Sequence, residues 1–249
     1  MTSKINTTRR GFLQSTGYLT LAFAIPLEDA LSQGAPTSDK PRLAGDLNTH
    51  RKLSAWLRVN ANKTVTLMVG KVELGQGILT AVTQICADEL DIDLQRVQVI
   101  SGDTALVPNE GVTAGSFSMP YCASAVQQAS AEVRAILLQL AADKLKEPAA
   151  SLSVKDGLIQ STSGAQVAYW DLVVGEALNR EATGQVKFKP ASDYRYIGRP
   201  VQRVDLTPKM LGQEMFIQEH HPAGMLYGHL VRPPTYQAKL LTVNLALVQ

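Results

Sequence analysis

Residues 72–90 read VELGQGILTAVTQICADEL, and this stretch decides the fold. It follows a strand-like run and opens on the turn residues Gly75, Gln76 and Gly77. From residue 78 to about residue 90, apolar and small side chains recur at helical spacing, which predicts a helix with one buried stripe. The stretch therefore predicts a strand, a glycine-rich loop and a helix in succession, with the loop at the N-terminal end of the helix.

The flanking segments predict further strands and helices. Residues 56–69 alternate in a strand-like way on either side of a turn at 60–62, which predicts a β-hairpin. The same periodicities, with the turn dipeptide Asp156-Gly157, predict a strand at 96–100, a helix from about 120 to 145, a hairpin over 151–160, a short helix at 169–178 and a loop over 180–192. From residue 195 a new unit begins in an extended form. The predicted fold class is α+β.

The first loop lies where an anionic ligand is easily bound. Helix N-termini present unpaired N–H groups and partial positive charge, which suit phosphates and other oxyanions. Gly75 and Gly77 let the backbone approach a ligand closely. The amide of Gln76 between them can both donate and accept hydrogen bonds. The alternative is a tight strand-to-helix turn with Gln76 in solvent.

The second loop, TAGSFS at residues 113–118, precedes the second long helix. It closes an irregular segment, residues 101–118, and segments of that length within a compact domain are usually functional or disordered. Its small side chains and the hydroxyls of Ser116 and Ser118 could surround a pyrophosphate or an extended ring system. The alternative is helix capping by either serine with close packing. Neither loop contains a G-x-G-x-x-G or Walker motif.

The bulk composition excludes some classes of function. The 249 residues carry a net charge of +2 and no block rich in Lys and Arg, so no nucleic-acid partner is expected. The two cysteines, Cys86 and Cys122, allow one disulfide at most. An iron–sulfur cluster normally needs about four thiolates, so a cluster would have to lie on a separate partner chain. The two thiols fall within predicted helices and are interpreted as small packed residues.

Residues 1–34 are interpreted as an export signal. Arg9 and Arg10 lie in the motif TRRGFL, which fits the twin-arginine signal. The apolar stretch that follows, residues 11–27, is too short and too polar to predict a transmembrane helix. Twin-arginine export carries folded proteins, usually because a cofactor is inserted in the cytoplasm. It therefore predicts a cofactor and a periplasmic location, with membrane association if the signal is not cleaved. Residues 35–52 predict a polar linker.

Three motifs resemble the xanthine dehydrogenase and aldehyde oxidase family of molybdenum hydroxylases. They are the stretch at 72–90, VQVISGDT, and P-x-x-G-x-TAGSFS before a long helix, and they span roughly residues 55–145. The preceding twin-arginine signal is typical of the isoquinoline 1-oxidoreductase, nicotinate dehydrogenase and membrane-bound aldehyde dehydrogenase large subunits. The resemblance implies a molybdenum–molybdopterin cofactor, in the cytosine dinucleotide form.

The resemblance also implies roles for individual residues. Gln76 matches the glutamine near the molybdenum and its oxo ligand, and Gly75 and Gly77 shape that loop. Four residues match the loop that holds the pterin and its phosphate end: Gly115, Ser116, Phe117 and Ser118. Asp103 and Thr104 are expected to shape the connecting loop.

The tail resembles the start of the family's smaller α/β hammerhead domain. The motifs that carry this likeness are YIGRPVQRVDLTPKMLGQ and PAGMLYGHLVRPP, and residues 238–243 fit a strand that usually follows. The resemblance thus implies a molybdopterin-binding segment at 53–192 and a truncated hammerhead domain at 193–249.

Two pairs in this tail are not interpreted as sites. Gly212-Gln213 resembles a cofactor-contacting pair by coincidence, and the adjacent His220-His221 predicts a surface turn rather than a metal site.

The family's catalytic base, a glutamate near the end of the large subunit, is expected to lie outside these 249 residues. Glu73, the acid next to the first loop, is interpreted as a solvated or helix-capping residue, so no catalytic residue is assigned. The first hypothesis is a front piece of an oxidoreductase that hydroxylates N-heteroaromatics or oxidises aldehydes with water as the oxygen source. A second chain would complete this large subunit, which would be inactive alone, and electrons would leave through a small 2Fe–2S subunit and perhaps a cytochrome c.

The second hypothesis is a non-catalytic remnant, or a binding or assembly module. A periplasmic solute-binding protein ranks last, because it explains export but neither the twin arginines nor the two loops.

Overall fold

The computed structural model describes residues 40–172, 176–214 and 216–247. The predicted export signal, residues 1–34, and the first part of the predicted linker lie outside the described residues. Within the described ranges, no helix combines the length and the apolar character needed to cross a membrane. The chain divides into two compact units, Met1–Arg199 and Pro200–Gln249.

The first sheet of the N-terminal unit contains the predicted hairpin. Strands β1 (Leu57–Val59) and β2 (Val65–Val69) pair antiparallel, and β2 pairs in parallel with β3 (Val97–Ser101). Parallel neighbours need a crossover connection, and helix α1 (Ile78–Leu90) supplies it. All five residues of the central strand β2 are buried, which explains its nearly continuous apolar run. The predicted hairpin, helix and strand are thereby confirmed.

Helix α2 (Ser124–Leu145) follows a π-helical turn at Ser118–Ala123. The sequence predicts a helix start near Pro120, but the regular α-helix begins four residues later. Proline has no N–H and its ring crowds the preceding turn. The carbonyls of this wide turn are met by the Ser124 hydroxyl, which donates to Pro120 at 2.6 Å. A close approach occurs here, since a Cβ on Gly45 would lie 1.9 Å from the Tyr121 carbonyl oxygen.

The second sheet is a three-stranded meander. Its strands are β4 (Leu152–Lys155), β5 (Leu158–Ser161) and β6 (Gln166–Ala168), all antiparallel. Asp156 and Gly157 have φ of 50° and 74°, the left-handed conformation that a tight two-residue hairpin turn requires. The predicted hairpin is confirmed. With mixed sheets and helices, the fold class is α+β, as predicted.

The predicted linker and the predicted unit boundary both take part in packing. Leu43 and Leu47 are buried in the core, so residues 40–47 lie against the N-terminal unit. At the other end, the buried Asp88 carboxylate accepts the N–H groups of residues 195–197 at 2.7 to 3.2 Å. A buried carboxylate needs such donors, and this places the compact boundary after Arg199.

The segment 169–178 contains two short 3-10 turns at its described ends, Tyr169–Asp171 and Glu176–Leu178. Residues 173–175, in the middle of the predicted short helix, lie outside the described residues. The predicted loop at 180–192 is largely irregular, apart from a 3-10 turn that begins at Ala191.

The second unit has little regular structure. Helix α3 (Leu206–Met210) begins after Asp205, whose carboxylate pairs with Arg203 at 2.7 Å and with Lys209 at 2.5 Å. Gly212 adopts φ 66° and ends this helix. In the described parts of 200–247 no strand is present, and residues 238–243 are irregular. The hammerhead assignment stays a prediction.

Candidate functional site

The first loop is closed by a side chain of its own. The Glu73 carboxylate accepts the N–H groups of Gly75 at 2.9 Å, Gly77 at 2.8 Å and Leu79 at 3.3 Å. Carboxylates are stabilised at helix N-termini because the unpaired N–H groups and the helix dipole both favour negative charge. Glu73 is therefore a capping acid, one of the two roles expected for it. It occupies the place where an anionic ligand would bind at α1.

Gln76 lies at the exposed tip of this loop with its amide turned inward. Its Nε2 donates to the Val72 carbonyl at 3.0 Å, and its Oε1 accepts the Leu74 N–H at 2.6 Å. Gly75 and Gly77 have φ of 103° and 83°, and a Cβ on either would meet nothing within 4 Å. The loop is a tight turn with open space around it, and its predicted contact with a cofactor requires both Gln76 hydrogen bonds to exchange.

The second loop has the opposite character. Gly115 and Ser116 both have φ of 60°, and Phe117 follows as the residue before the π-helical turn. No side chain caps this helix start. Among the described residues, the N–H groups of Ser116, Ser118 and Met119 meet no protein acceptor. Successive backbone donors of this kind form an anion-binding concavity, so the loop fits a pyrophosphate.

Aromatic and aliphatic side chains stand around the second loop. The Phe117 ring packs edge-on against Tyr121, with ring centroids 5.2 Å apart, and 46% of Phe117 is exposed. Val112 and Met119 are also exposed, by 76% and 53%. Exposed apolar side chains beside free amide donors suit a ligand with a flat ring system and an anionic end.

Backbone contacts tie the two loops together. The ammonium group of the buried Lys71 donates to the carbonyls of Glu110 at 2.5 Å and Val112 at 3.0 Å. The Val72 N–H donates to the Thr113 hydroxyl at 3.0 Å. The residues that lead into the first loop therefore run beside those that lead into the second. Sequence reasoning missed Lys71, Glu110 and Thr113, because nothing local distinguishes a buried lysine or glutamate from a surface one.

The connecting loop lines a small cavity of about 230 Å³ between residues 102–111 and Gly70. Asp103 organises this loop, since its carboxylate accepts the Ala105 N–H at 2.9 Å and its carbonyl accepts those of Leu106 and Val107 at 3.0 Å. Thr104 lies on the cavity wall. Both positions agree with the shaping role expected of them.

The cysteines and histidines lie apart from the two loops' ligand-facing amides. Cys86 and Cys122 are free, buried thiols rather than a disulfide. Burial raises the pKa of Cys86 to about 12, so it is a neutral packed residue. His220 faces Glu214 at 3.6 Å, whereas His221 lies 3.3 Å from the Tyr227 hydroxyl. Within the described ranges, no three His, Cys, Asp or Glu side chains are grouped to hold a metal ion.

Comparison with known proteins identifies the family. Residues 33–205 match the family described as the molybdopterin cofactor-binding domain. Because this match covers more than half of the chain, the chain belongs to that family. A nicotinate dehydrogenase large chain, the B component of the Pseudomonas putida enzyme, is 33% identical over 184 residues, which are 74% of this chain and 16% of that protein. The beta subunit of isoquinoline 1-oxidoreductase from Brevundimonas diminuta is 27% identical over 270 residues, covering 92% of this chain and 34% of that protein.

The chain therefore spans only a minor part of the length of these relatives. Among solved structures, CO dehydrogenase from Oligotropha carboxidovorans is similar over 47% of this chain and 15% of its own, with 24% identity and a TM-score of 0.42.

Proposed function

We propose that this chain is the molybdenum-cofactor-binding part of an oxidoreductase that hydroxylates N-heteroaromatic compounds, or oxidises aldehydes, with water as the oxygen source. The observation that carries the proposal is the second loop, where free backbone amides begin a 6-residue π-helical turn continuous with the 22-residue helix α2. A long helix with uncapped donors stabilises an anion at its N-terminus. The match to the cofactor-binding family gives that anion its chemistry.

The two loops would act on different ends of the cofactor. The amides of Ser116, Ser118 and Met119 would hold its phosphate end, in the cytosine dinucleotide form, and Phe117 would cover the pterin. Gln76 would reach the metal end after its amide leaves Val72 and Leu74, and Gly75 and Gly77 would let the backbone approach. When bound, the cofactor supplies the two-electron oxidation that these side chains cannot perform.

The partners and the location belong to the same proposal. With two buried cysteines the chain lacks ligands for a typical iron–sulfur cluster, so electrons would pass to a small 2Fe–2S subunit and from it to a cytochrome c. A further polypeptide segment, on a second chain or a continuation of this one, would supply the glutamate base. The twin arginines, Arg9 and Arg10, support folded export to the periplasm.

The test is the molybdenum content of the chain purified from its own host with its bound partners, measured by mass spectrometry. We expect about one molybdenum per chain, since a cofactor held by the folded site survives purification. A chain that purifies alone and without molybdenum would favour the alternative, a non-catalytic remnant or assembly module.

A pair of glycine variants adds a local control. Gly115→Ala places a Cβ 3.1 Å from the Phe117 ring at φ 60°, whereas Gly164→Ala meets open space at φ 90° in a turn of the second sheet. Both variants impose backbone strain of roughly 1–2 kcal/mol. We expect Gly115→Ala alone to lower the molybdenum content, and equal losses in both would point to general instability.

A further inference from the structure

A buried carboxyl pair, Asp46 and Glu110, lies behind the two loops. Glu110 is 7% exposed, and its Oε2 accepts the N–H groups of Gly70 at 2.5 Å and Lys71 at 3.3 Å. Its other oxygen, Oε1, is buried with no partner, and so is Oδ2 of Asp46. The two carboxyl groups lie within hydrogen-bonding reach of each other.

Two ionised carboxylates cannot satisfy each other, because each is an acceptor only. At this separation they would also repel, and burial would strengthen the repulsion. A single proton between the two carboxyl groups turns one of them into a donor and removes both problems. It uses the two oxygens that otherwise have no partner.

The groups that face this pair leave room for one proton. Asp46 comes from the 3-10 turn Gly45–Asn48, and Cys122 approaches from the π-helical turn as a neutral thiol hydrogen-bonded to Glu110. Lys71 directs its ammonium group at the carbonyls of Glu110 and Val112. Burial raises the pKa of Glu110 above its ordinary value, and Asp46 raises it further, while the Gly70 N–H and the Cys122 thiol oppose the shift.

The location of the pair connects it to both loops. Through Gly70 and Lys71 it holds the chain that leads into the first loop, and through Glu110 itself it holds the chain that leads into the second. We propose that Asp46 and Glu110 share one proton and that this carboxyl pair, with Lys71, is a brace that fixes the two loops relative to each other. The shared proton stands on the contacts alone, whereas its consequence for cofactor binding rests on the proposed function.

The proposal determines the sign of a pH dependence. A folded chain that holds this proton more tightly than the unfolded chain is stabilised by it below the ordinary carboxyl pKa of about 4.3. That stabilisation falls as the pH rises toward and through the raised pKa of Glu110. In this window, the free energy of unfolding of the native chain should decrease with pH by an amount equivalent to at most one bound proton.

Infrared spectroscopy of the full chain tests the shared proton directly. We expect a C=O stretching band of a protonated carboxyl group that persists at pH 7 and is lost in Asp46→Asn and in Glu110→Gln. Each amide donates to the remaining carboxylate, so both variants keep the contact without the proton. Asp171→Asn, which removes an exposed carboxylate, is the matched control and should retain the band.

Urea unfolding between about pH 5 and pH 9 supplies the second readout. The decrease in stability with pH should flatten in Asp46→Asn and remain in Asp171→Asn. No protonated-carboxyl band in the native chain at pH 7, or a band that survives both amide variants, overturns the proposal. The native spectrum decides the first outcome even where a variant does not fold.

Neither readout requires the cofactor, so the two proposals fail separately. A chain that shows the band but binds no molybdenum retains the shared proton and loses the proposed function. A chain that binds molybdenum but shows no band does the reverse. If both proposals hold, Glu110→Ala should lower the molybdenum content by about 10-fold or more, as loss of supporting contacts typically does, while Glu110→Gln stays near the native content.

Discussion

The loops at residues 72–77 and 113–118 share composition and position, yet they treat their backbone donors in opposite ways. Both are rich in glycine and both lead into a helix. The first satisfies its donors internally, because Glu73 accepts three N–H groups at the start of α1. The second leaves donors at Ser116, Ser118 and Met119 open. A helix N-terminus therefore becomes an anion site only where the chain does not place its own acid there.

The largest expected effect concerns the link between the loops. Lys71→Met should lower the free energy of unfolding by about 3 kcal/mol, because two charge-assisted hydrogen bonds of about 1.5 kcal/mol each are lost in a buried place. Lys155→Met removes an exposed lysine from β4 and should change little. Urea unfolding measures both variants, and a loss below about 0.5 kcal/mol in Lys71→Met would show that the loops are held by other contacts.

The next effect tests the open amides. Ser116→Asp should place a carboxylate beside them and lower molybdenum binding on the order of 10-fold, equivalent to about 1.4 kcal/mol. Ser116→Asn is its neutral match, and both side chains tolerate the left-handed backbone of this position. Metal analysis of the two purified variants compares them. Equal molybdenum in both would mean that no anion contacts these amides.

The smallest effect would make the first loop resemble the second. Glu73→Ala should cost about 1 kcal/mol of stability, the usual loss for a removed helix cap. Inorganic phosphate should then raise the melting temperature of the variant, since the freed donors accept an anion. Glu73→Gln retains an acceptor oxygen and should respond less. A native chain that is stabilised by phosphate as strongly as Glu73→Ala would contradict the difference between the loops.

The local patterns of the sequence predict most of the first unit's elements. The hairpin, α1 and β3 appear where the periodicities place them, because alternation and helical spacing depend on neighbours a few residues apart. The start of α2 is less well predicted, since a close contact with Gly45 and a proline turn combine there. The packing of residues 40–47 is not predicted at all, because polar and proline-rich composition conceals the two buried leucines.

The sequence by itself determined the α+β class, the two loops before helices and the resemblance that names the cofactor. Only the tertiary structure decided which loop keeps its donors open and which acids lie behind them. The Gly70, Lys71 and Val72 contacts with Glu110 and Thr113 join residues 39 to 41 positions apart. Burial and proton sharing arise from such distant contacts, whereas a sequence pattern records only the local spacing of residue types.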